Sequence, residues 1–369
     1  MADITSVEWR DIYPDNPFLL DRTVDTTTFK IRGNSEKYVD LSRSYLAFKA
    51  EYRRGSNLDQ DPYFVNNILH SYWNRVEITI GGKRFTQNDY AYTSFFNTLC
   101  FSSFGAQHSQ AVCQGFVPPE STDNVKLRKA LLNSDFQVVG RLALDVCGQS
   151  RLILNNTPLE ITLHPNNRPF IVKNADGVIV PVELKYRVCL VNITDRKRKE
   201  MEAMLLKTPA LYPYEETLVK VFDYTGPLET FNDLFENKVP KRALIVLLEK
   251  GVYEGNGFKD SFDALGITEA IVDIDGTQEI KQARGYSPFT CIDEDNRWNY
   301  GNCTRYLEYK PSTDLKKDYP VLGFDFDGRH GDNKTLNLTV RQRNSLSGKL
   351  LCIGYFSNHF AIDHTRRVI

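Results

Sequence analysis

The sequence predicts an all-β protein of two antiparallel β domains joined by one short helix. Short stretches of alternating apolar and polar residues recur on both sides of the middle of the chain, as expected for half-buried strands. Aromatic residues make up 12% of the chain and only three residues are Met, a composition that favours strands over helices. The 369 residues suffice for two domains that each bury a core.

One helical segment near the middle separates the two β-rich parts. Thr194 and Asp195 are residue types that cap helix N-termini by accepting backbone N–H bonds. Strong helix formers without Gly or Pro follow them, and Pro209 and Pro213 close the segment. We therefore predict a first β domain over residues 1–193, a helical linker over 194–212 and a second β domain over 213–369.

The first domain alternates in short segments that we predict as strands: 26–31, 44–53, 76–80, 136–146, 151–154, 159–163 and 182–188. A helical turn is predicted within 64–73 and a short helix at 88–100, and the polar segment 105–125 is predicted as a loop. The pair Gly81-Gly82 predicts a two-residue hairpin turn, because both positions can adopt positive φ. About eight strands favour a closed or two-sheet antiparallel domain, which leaves few free edges.

The second domain repeats this plan without letter-for-letter identity. Its predicted strands are 217–224, 243–248, 270–274, 277–280, 336–341, 350–355 and 359–364, with a helical turn at 231–235. The segment 243–248 is apolar throughout, which predicts a strand covered on both faces. Asp275-Gly276 predicts a hairpin turn like the one at Gly81-Gly82.

Charge and cysteine usage restrict the class of protein. The formal net charge of -1 and the pI near 6.6 argue against a sequence-specific nucleic-acid binder and suit a protein that associates with its own copies. Seven Cys without C-x-x-C spacing suggest reduced thiols rather than a disulfide frame or a zinc site. Since no apolar run of about 18 residues occurs, we expect no membrane insertion.

The motifs that mark catalysis or cofactor binding are missing from the sequence. No phosphate-binding glycine loop is present, and the six His are dispersed without metal-ligand spacing. The turn Asp325-Phe326-Asp327-Gly328 resembles a calcium loop, but Leu336 stands where the glutamate ligand belongs. We therefore predict no catalytic residue, no cofactor and no metal, and thus a protein that is not an enzyme.

Several motifs in both domains follow one another in a recognisable order: Gly33-Asn34-Ser35-Glu36-Lys37-Tyr38-Val39-Asp40-Leu41 before the strand 44–53, segment 67–80, Asp89-Tyr90-Ala91-Tyr92, segment 232–243 with Pro240-Lys241-Arg242, Tyr355-Phe356-Ser357-Asn358, and Ile362-Asp363-His364-Thr365-Arg366-Arg367-Val368. Together they resemble the major capsid proteins of Polinton/Maverick elements and adintoviruses. The resemblance falls in both domains and spans most of the chain.

This resemblance implies a double jelly-roll fold, as in adenovirus hexon and virophage capsid proteins. The fold has two eight-stranded antiparallel β-sandwiches or barrels joined by a short helical linker, with small inserted helices. The implied function is that of a major capsid protein, a homotrimer forming pseudo-hexagonal capsomers that tile an icosahedral shell around a double-stranded DNA genome. The implied partners are neighbouring capsomers, a single jelly-roll penton protein and other minor capsid proteins. The expected location is the virion, after synthesis in the host cytoplasm, with the host nucleus as a candidate place of assembly.

Two groups of residues are candidate functional sites. Trp298 and Tyr300 are expected to fill a subunit interface, where such residues are enriched, although surface recognition of a glycan or receptor is the alternative. The run Arg196, Lys197, Arg198 and Lys199 is a candidate nuclear-import patch, although we favour a solvated helix face. The alternative functions are a jelly-roll carbohydrate- or receptor-binding virion protein and a cupin-like metal enzyme.

Overall fold

The computed structural model of the chain describes residues 4–15, 26–53, 62–102, 104–118, 124–131, 135–173, 177–255, 262, 267–283, 321–326, 328–342 and 347–369. Each half of the chain folds into two four-stranded antiparallel sheets. We call the two halves the first roll and the second roll.

The first roll contains the sheets β1-β10-β3-β7 and β2-β8-β5-β6. Its strands, with the small pair β4 and β9, are β1 (Ile4–Ile12), β2 (Thr27–Ile31), β3 (Lys37–Arg53), β4 (Tyr63–Phe64), β5 (Trp73–Ile80), β6 (Lys83–Gln87), β7 (Phe136–Gly140), β8 (Leu159–Pro165), β9 (Val172–Lys173) and β10 (Val178–Ile193). The two glycines of the predicted hairpin, Gly81 and Gly82, join β5 to β6 with φ of 52° and 90°.

The second roll contains the sheets β11-β20-β14-β17 and β12-β19-β15-β16. Its strands, with the small pair β13 and β18, are β11 (Ala210–Tyr224), β12 (Leu228–Phe231), β13 (Lys238–Val239), β14 (Arg242–Glu249), β15 (Ile267–Ile274), β16 (Thr277–Ala283), β17 (Val321–Asp325), β18 (Gly331–Asp332), β19 (Leu336–Gln342) and β20 (Gly348–Ile362). Asp275 and Gly276 adopt positive φ in the hairpin between β15 and β16, as predicted.

The two rolls share one strand order. When the eight sheet-forming strands of each roll are counted along the chain, both rolls pair them as 1-8-3-6 in one sheet and 2-7-4-5 in the other. This is the winding of a jelly-roll, in which the first and last strands are neighbours. The all-β double jelly-roll prediction is therefore confirmed.

The helices are short and lie between strands. They are α1 (Ile68–Ser71), α2 (Tyr90–Phe101), α3 (Phe104–Gln107), α4 (Asn124–Ala130), α5 (Arg168–Ile171), α6 (Asp195–Leu205) and α7 (Lys250–Tyr253). α6 is the predicted linker helix, and the Thr194 side chain caps it by accepting a hydrogen bond from the Lys197 backbone N–H. Pro213, expected to close the linker, instead lies inside the edge strand β11, where its missing N–H leaves no ladder bond broken.

Several predicted elements differ from the structure. The N-terminal residues were predicted without a strand, yet they form β1 and pair with β10. Strand 136–146 ends at Gly140, and within 151–154 only an isolated bridge from Ile153 to Val39 forms. The predicted loop 105–125 contains part of α3 and a 3-10 turn at Val112–Gln114.

Two corrections concern the second roll. The helical turn predicted at 231–235 is wrong, because Phe231 ends β12 and positive φ at Asp233, Glu236 and Asn237 folds the following segment into turns. The two strands predicted at the end of the chain form one continuous strand, because β20 pairs with β11 over its full length.

Two hydrophobic cores share one sheet. On β14, Ala243, Ile245 and Leu247 pack into the core of the second roll. Leu244, Val246 and Leu248 point the opposite way, into a core continuous with that of the first roll. The sheet β11-β20-β14-β17 is therefore buried on both faces, which explains the unbroken apolar sequence of β14.

Candidate functional site: the junction between the two rolls

The two rolls meet along a continuous contact that we call the junction. On the first-roll side it includes α2, residues 81–85 and residues 145–155. On the second-roll side it includes α7, Phe262, the sheet β11-β20-β14-β17 and the tail 363–369. This contact fixes how one roll is placed against the other, so the shape of the whole subunit depends on it.

Aromatic side chains of α2 fill the centre of the junction. Phe95 stacks on Phe262 with ring centroids 4.0 Å apart and an interplanar angle of 4°. Tyr92 stacks on Tyr253 of α7 at 5.2 Å, and its hydroxyl donates a hydrogen bond to the Tyr253 carbonyl at 2.9 Å. The predicted short helix at 88–100 is thus confirmed, and its apolar side serves the contact between the rolls.

Arg242 lies where the aromatic contact meets the cleft described below. Its guanidinium stands over the ring of Phe101 at 4.1 Å and over the ring of Tyr355 at 5.0 Å. It also forms an ion pair with Glu215, while the Tyr355 hydroxyl donates a hydrogen bond to Asn97 of α2. Cation–π and ionic attraction therefore act on the same side chain.

Residues 145–152 of the first roll cover the free edge of β11. Gln149 donates a hydrogen bond to the carbonyl of Pro213, and Arg151 donates one to the carbonyl of Leu211. The Tyr212 hydroxyl in turn donates to the Leu152 carbonyl at 2.9 Å. An uncovered edge strand is a site of unwanted pairing, so these bonds both join the rolls and protect the edge.

The C-terminal tail ties three parts of the chain together. Arg366 donates hydrogen bonds to the backbone carbonyl and the side-chain oxygen of Asn155 at 2.7 and 2.9 Å, and it pairs with Glu202 of α6. The backbone N–H of Val368 donates to the carbonyl of Gly81 at 3.2 Å. The tail motif noted in the sequence therefore clamps the first roll, the linker helix and the second roll.

A cleft of about 1020 Å³ runs into the junction. Its walls include Arg141 and Asp145 from the first roll and Tyr214, Glu215 and Arg242 from the second. Burial raises the pKa of Asp145 to about 7 and that of Tyr214 to about 12. Both groups are thus held in surroundings that disfavour their charged forms.

The junction brings together residues that the sequence did not single out. Asp145, Arg151 and Arg366 had no recognisable motif beyond the tail, because their roles depend on partners more than 50 residues away, and the partner of Glu215, Arg242, lies on another strand. A run of aromatic residues in α2 was the one signal in the sequence that could have indicated a buried inter-domain helix.

Of the two candidate sites predicted from the sequence, the structure describes one. Trp298 and Tyr300 lie outside the described residues, so the interface and the surface-recognition roles both stay predictions. Arg196, Lys197, Arg198 and Lys199 lie in the first turns of α6, and the junction contacts described above do not involve them. Their charges are partly neutralised locally, because Arg196 and Lys197 pair with Glu200 and Arg198 pairs with Asp195.

Within the part of the chain that the structure describes, no three His, Cys, Asp or Glu side chains come close enough to hold a metal ion. One of the His residues, His70, is fully buried, and its ring nitrogen forms a hydrogen bond with the Tyr90 hydroxyl at 2.9 Å. Asp327 of the calcium-like turn lies outside the described residues. No described helix is long and apolar enough to span a membrane.

The repeated strand order, the two rolls and their junction define the chain as a double jelly-roll protein. Solved structures of viral coats share this fold. A chain of the Sputnik virophage structure matches with a TM-score of 0.71 at 9% identity, covering 100% of this chain and 89% of the virophage chain. The Faustovirus major capsid protein matches at 0.67 and 9%, covering 98% and 91%. The mavirus major capsid protein matches at 0.51 and 12%, covering 98% and 89%.

A similar sequence is known from an animal. An uncharacterized protein of Caenorhabditis elegans is 25% identical, and the alignment covers 92% of both chains. The sequence matches no family model. At these identities the solved structures establish a common fold, and the function has to be inferred.

Proposed function

We propose that this protein is a major capsid protein, a non-enzymatic structural component of a virion. The observation that carries the proposal is the likeness of both rolls together to viral coat chains, over 98–100% of this chain and about nine-tenths of the matched chains. A single jelly-roll serves many functions, including lectins and cupins. Two rolls in tandem around a shared junction are a far more restricted arrangement.

The proposed assembly is a homotrimer. Two rolls of the same topology in each subunit place six similar rolls around a threefold axis, which gives the pseudo-hexagonal outline of a capsomer. Such capsomers would tile an icosahedral shell around a double-stranded DNA genome, with a single jelly-roll penton protein and minor capsid proteins as further partners. The motifs quoted above support a Polinton/adintovirus lineage.

An exposed apolar patch supports self-association. Leu211 pairs with Ala361 in the β11–β20 ladder, and the N–H of Ile369 donates to the Ala361 carbonyl. Leu211 and Ile369 are 46% and 68% exposed on either side of Ala361, and Met204 and Leu206 at the end of α6 are 67% and 73% exposed. Exposed apolar side chains that adjoin one another favour a surface that is covered in the assembled state.

The mass of the purified protein in solution tests the proposal. Light scattering after size-exclusion chromatography should give about 127 kDa, three times the 42.4 kDa of the chain. Negative-stain images should show particles with a hexagonal outline. An obligate interface of this kind buries above ~2,000 Å², so a stable 42.4 kDa monomer at low concentration would contradict the proposal.

A further inference from the structure

The first roll protects one edge of the second roll. β11 is the first strand of the second roll, and residues 145–152, which lie between β7 and β8 of the first roll, bond to its outer edge. Asp145 accepts a hydrogen bond from the Thr217 backbone N–H at 2.8 Å. Gln149 and Arg151 donate hydrogen bonds to carbonyls of β11. A carboxylate, an amide and a guanidinium thus satisfy both kinds of backbone group along this edge.

The equivalent edge of the first roll has no such cover among the described residues. β1 stands in its sheet where β11 stands in the other, because each is the first strand of its roll and pairs with the eighth. Within the part of the chain that the structure describes, the β1 backbone forms hydrogen bonds to β10 alone. Trp9, near the middle of β1, and Ile4, at its start, are 51% and 48% exposed. Unpaired backbone groups beside a half-exposed Trp are typical of a surface that another chain covers.

The charged side chains of β1 are paired within their own sheet. Glu8 forms ion pairs with Lys37 of β3 and with Arg10 of β1 itself. The Arg187 guanidinium of β10 donates two hydrogen bonds to the Asp11 carboxylate, at 2.5 and 2.9 Å. The residues that commonly keep other strands away from an edge, Lys and Pro, do not occur in β1. Little unpaired charge therefore opposes the covering of this edge.

The second roll carries a counterpart of segment 145–152. This counterpart is segment 328–335, because it lies between β17 and β19, the sixth and seventh sheet strands of its roll, as 145–152 lies between β7 and β8. Its exposed residues include Arg329, Asp332 and Asn333, whose side chains are again a guanidinium, a carboxylate and an amide. The second roll therefore presents to solvent the same kinds of bonding group that the first roll uses on β11.

We propose that segment 328–335 covers the β1 edge of a neighbouring copy of the chain, with Trp9 at the centre of the contact. This proposal rests on the proposed trimer and names the surfaces that meet in it. The contact between copies then repeats the contact within the chain, so each roll covers the first strand of the next roll. A head-to-tail contact of this kind closes into a ring, which holds six alternating rolls when three copies take part.

The two kinds of contact differ in polarity. Beside β1, the outward face of β10 carries Lys185 and Arg187, which pair with Asp11. The corresponding face of β20 carries Leu351 and Ile353, which are buried by the first roll. The first roll therefore needs no partner to cover this face, and variants that lose the contact between copies should remain folded monomers.

Photocrosslinking of the full-length protein tests which surfaces meet. With p-benzoylphenylalanine in place of Trp9, the crosslinked peptide should come from residues 328–335 of a different copy. Mixing unlabelled and nitrogen-15-labelled protein shows in the mass spectrum that two copies contributed. The matched control places the same photoreactive side chain at Leu127, which is 50% exposed on α4 of the same roll and should give no crosslink to 328–335.

Substitution of Trp9 tests the energetic role of the contact. Trp9→Ala should raise the dissociation constant of the trimer by at least about tenfold, because a large aromatic side chain at the centre of an interface carries much of the binding. Light scattering should then show the 42.4 kDa monomer at concentrations where the wild type is a trimer. The circular dichroism spectrum should stay unchanged, and Leu127→Ala should remain a trimer.

The outcomes separate this contact from the proposed capsid role. A wild-type trimer whose crosslinks from position 9 fall outside 328–335, or whose dissociation constant is unaffected by Trp9→Ala, would overturn the contact and leave the capsid role standing. A wild-type protein that stays monomeric at all concentrations would overturn both. If Trp9→Ala fails to fold, the crosslinking still decides, since it keeps a large aromatic side chain at position 9.

Discussion

Arg242 combines cation–π and ionic contacts at the junction. It stacks on Phe101 of the first roll and on Tyr355 of its own roll, and it pairs with Glu215 on β11. Its side chain is 28% exposed, so the ion pair is partly screened by solvent and the stacking carries much of the stabilisation. A planar guanidinium suits this position better than an ammonium group.

Replacing Arg242 by Ala should lower the free energy of unfolding by about 1–3 kcal/mol, through lost stacking and an unpaired Glu215. Arg242→Lys should recover less than half of that loss, because the charge returns without the flat surface. Urea denaturation measures both. Lys349→Ala, which breaks an ion pair with the exposed Asp223, is the control and should cost under about 1 kcal/mol. Equal losses for Arg242→Ala and Lys349→Ala would show that stacking contributes nothing.

Gly81 and Gly82 offer a matched test of the C-terminal tail. Both have positive φ, but a Cβ on Gly81 would come within 2.5 Å of the Arg366 carbonyl, whereas a Cβ on Gly82 would meet nothing within 4 Å. Gly82→Ala should therefore cost only the backbone strain, about 1–2 kcal/mol. Gly81→Ala should cost about 2–5 kcal/mol, since overlap with the tail is added to the strain.

Thermal unfolding of the two glycine variants measures the difference. A truncation at Asp363 should bring their stabilities close together, because the tail that Gly81 contacts is then gone. If the difference between the two variants persists without the tail, the clash with Arg366 is not its cause.

At the scale of elements, patterns that reflect local burial predicted the structure well. The alternating segment 76–80 lies within β5, and the apolar segment 243–248 lies within β14. Both hairpin turns followed from glycine with positive φ. These features can be predicted from the sequence because they depend on only a few neighbouring residues: the burial of alternate side chains along a strand and the conformational freedom of glycine in a turn.

Elements whose form depends on distant partners were missed. β1 is an edge strand with many exposed side chains, so it lacks the apolar alternation that marks a strand. Residues 142–146 alternate well, but the chain leaves the sheet after Gly140 and places Asp145 against β11. The chain leaves the sheet here because it contacts the second roll, and the local sequence does not predict where the second roll lies.

The basic run at the start of α6 gives a prediction for one element. Arg196 has an 87% exposed side chain, and its ion pair with Glu200 is of the weak surface kind. Replacing Arg196, Lys197, Arg198 and Lys199 by Gln should change the free energy of unfolding by less than about 1 kcal/mol. We favour a solvated face, so the nuclear fraction of a fluorescently tagged chain should also stay unchanged. Loss of nuclear accumulation with unchanged stability would instead establish the import role.

At the scale of the whole molecule, the two rolls are topologically separate but share a hydrophobic core. The outward face of the sheet β11-β20-β14-β17 presents Leu244, Val246, Leu351 and Ile353 to the first roll. A jelly-roll that stood alone would carry polar residues on such a face. The second roll therefore depends on the first roll to cover its apolar face, and this dependence does not rest on how complete chains assemble with one another.

Separate expression of the two predicted domains tests this dependence. Residues 213–369 alone should aggregate or bind a hydrophobic dye, because the apolar face of the shared sheet is then exposed to water. Coexpression with residues 1–193 should restore a soluble complex. The matched control is the full chain with a protease site in the exposed stretch 206–209: after cleavage the rolls should stay together through the junction. A soluble, cooperatively unfolding monomer of 213–369 would contradict the shared core. In that case the junction would not stabilise the second roll. The orientation of the two rolls would then have to be set by the linker and by contacts between subunits.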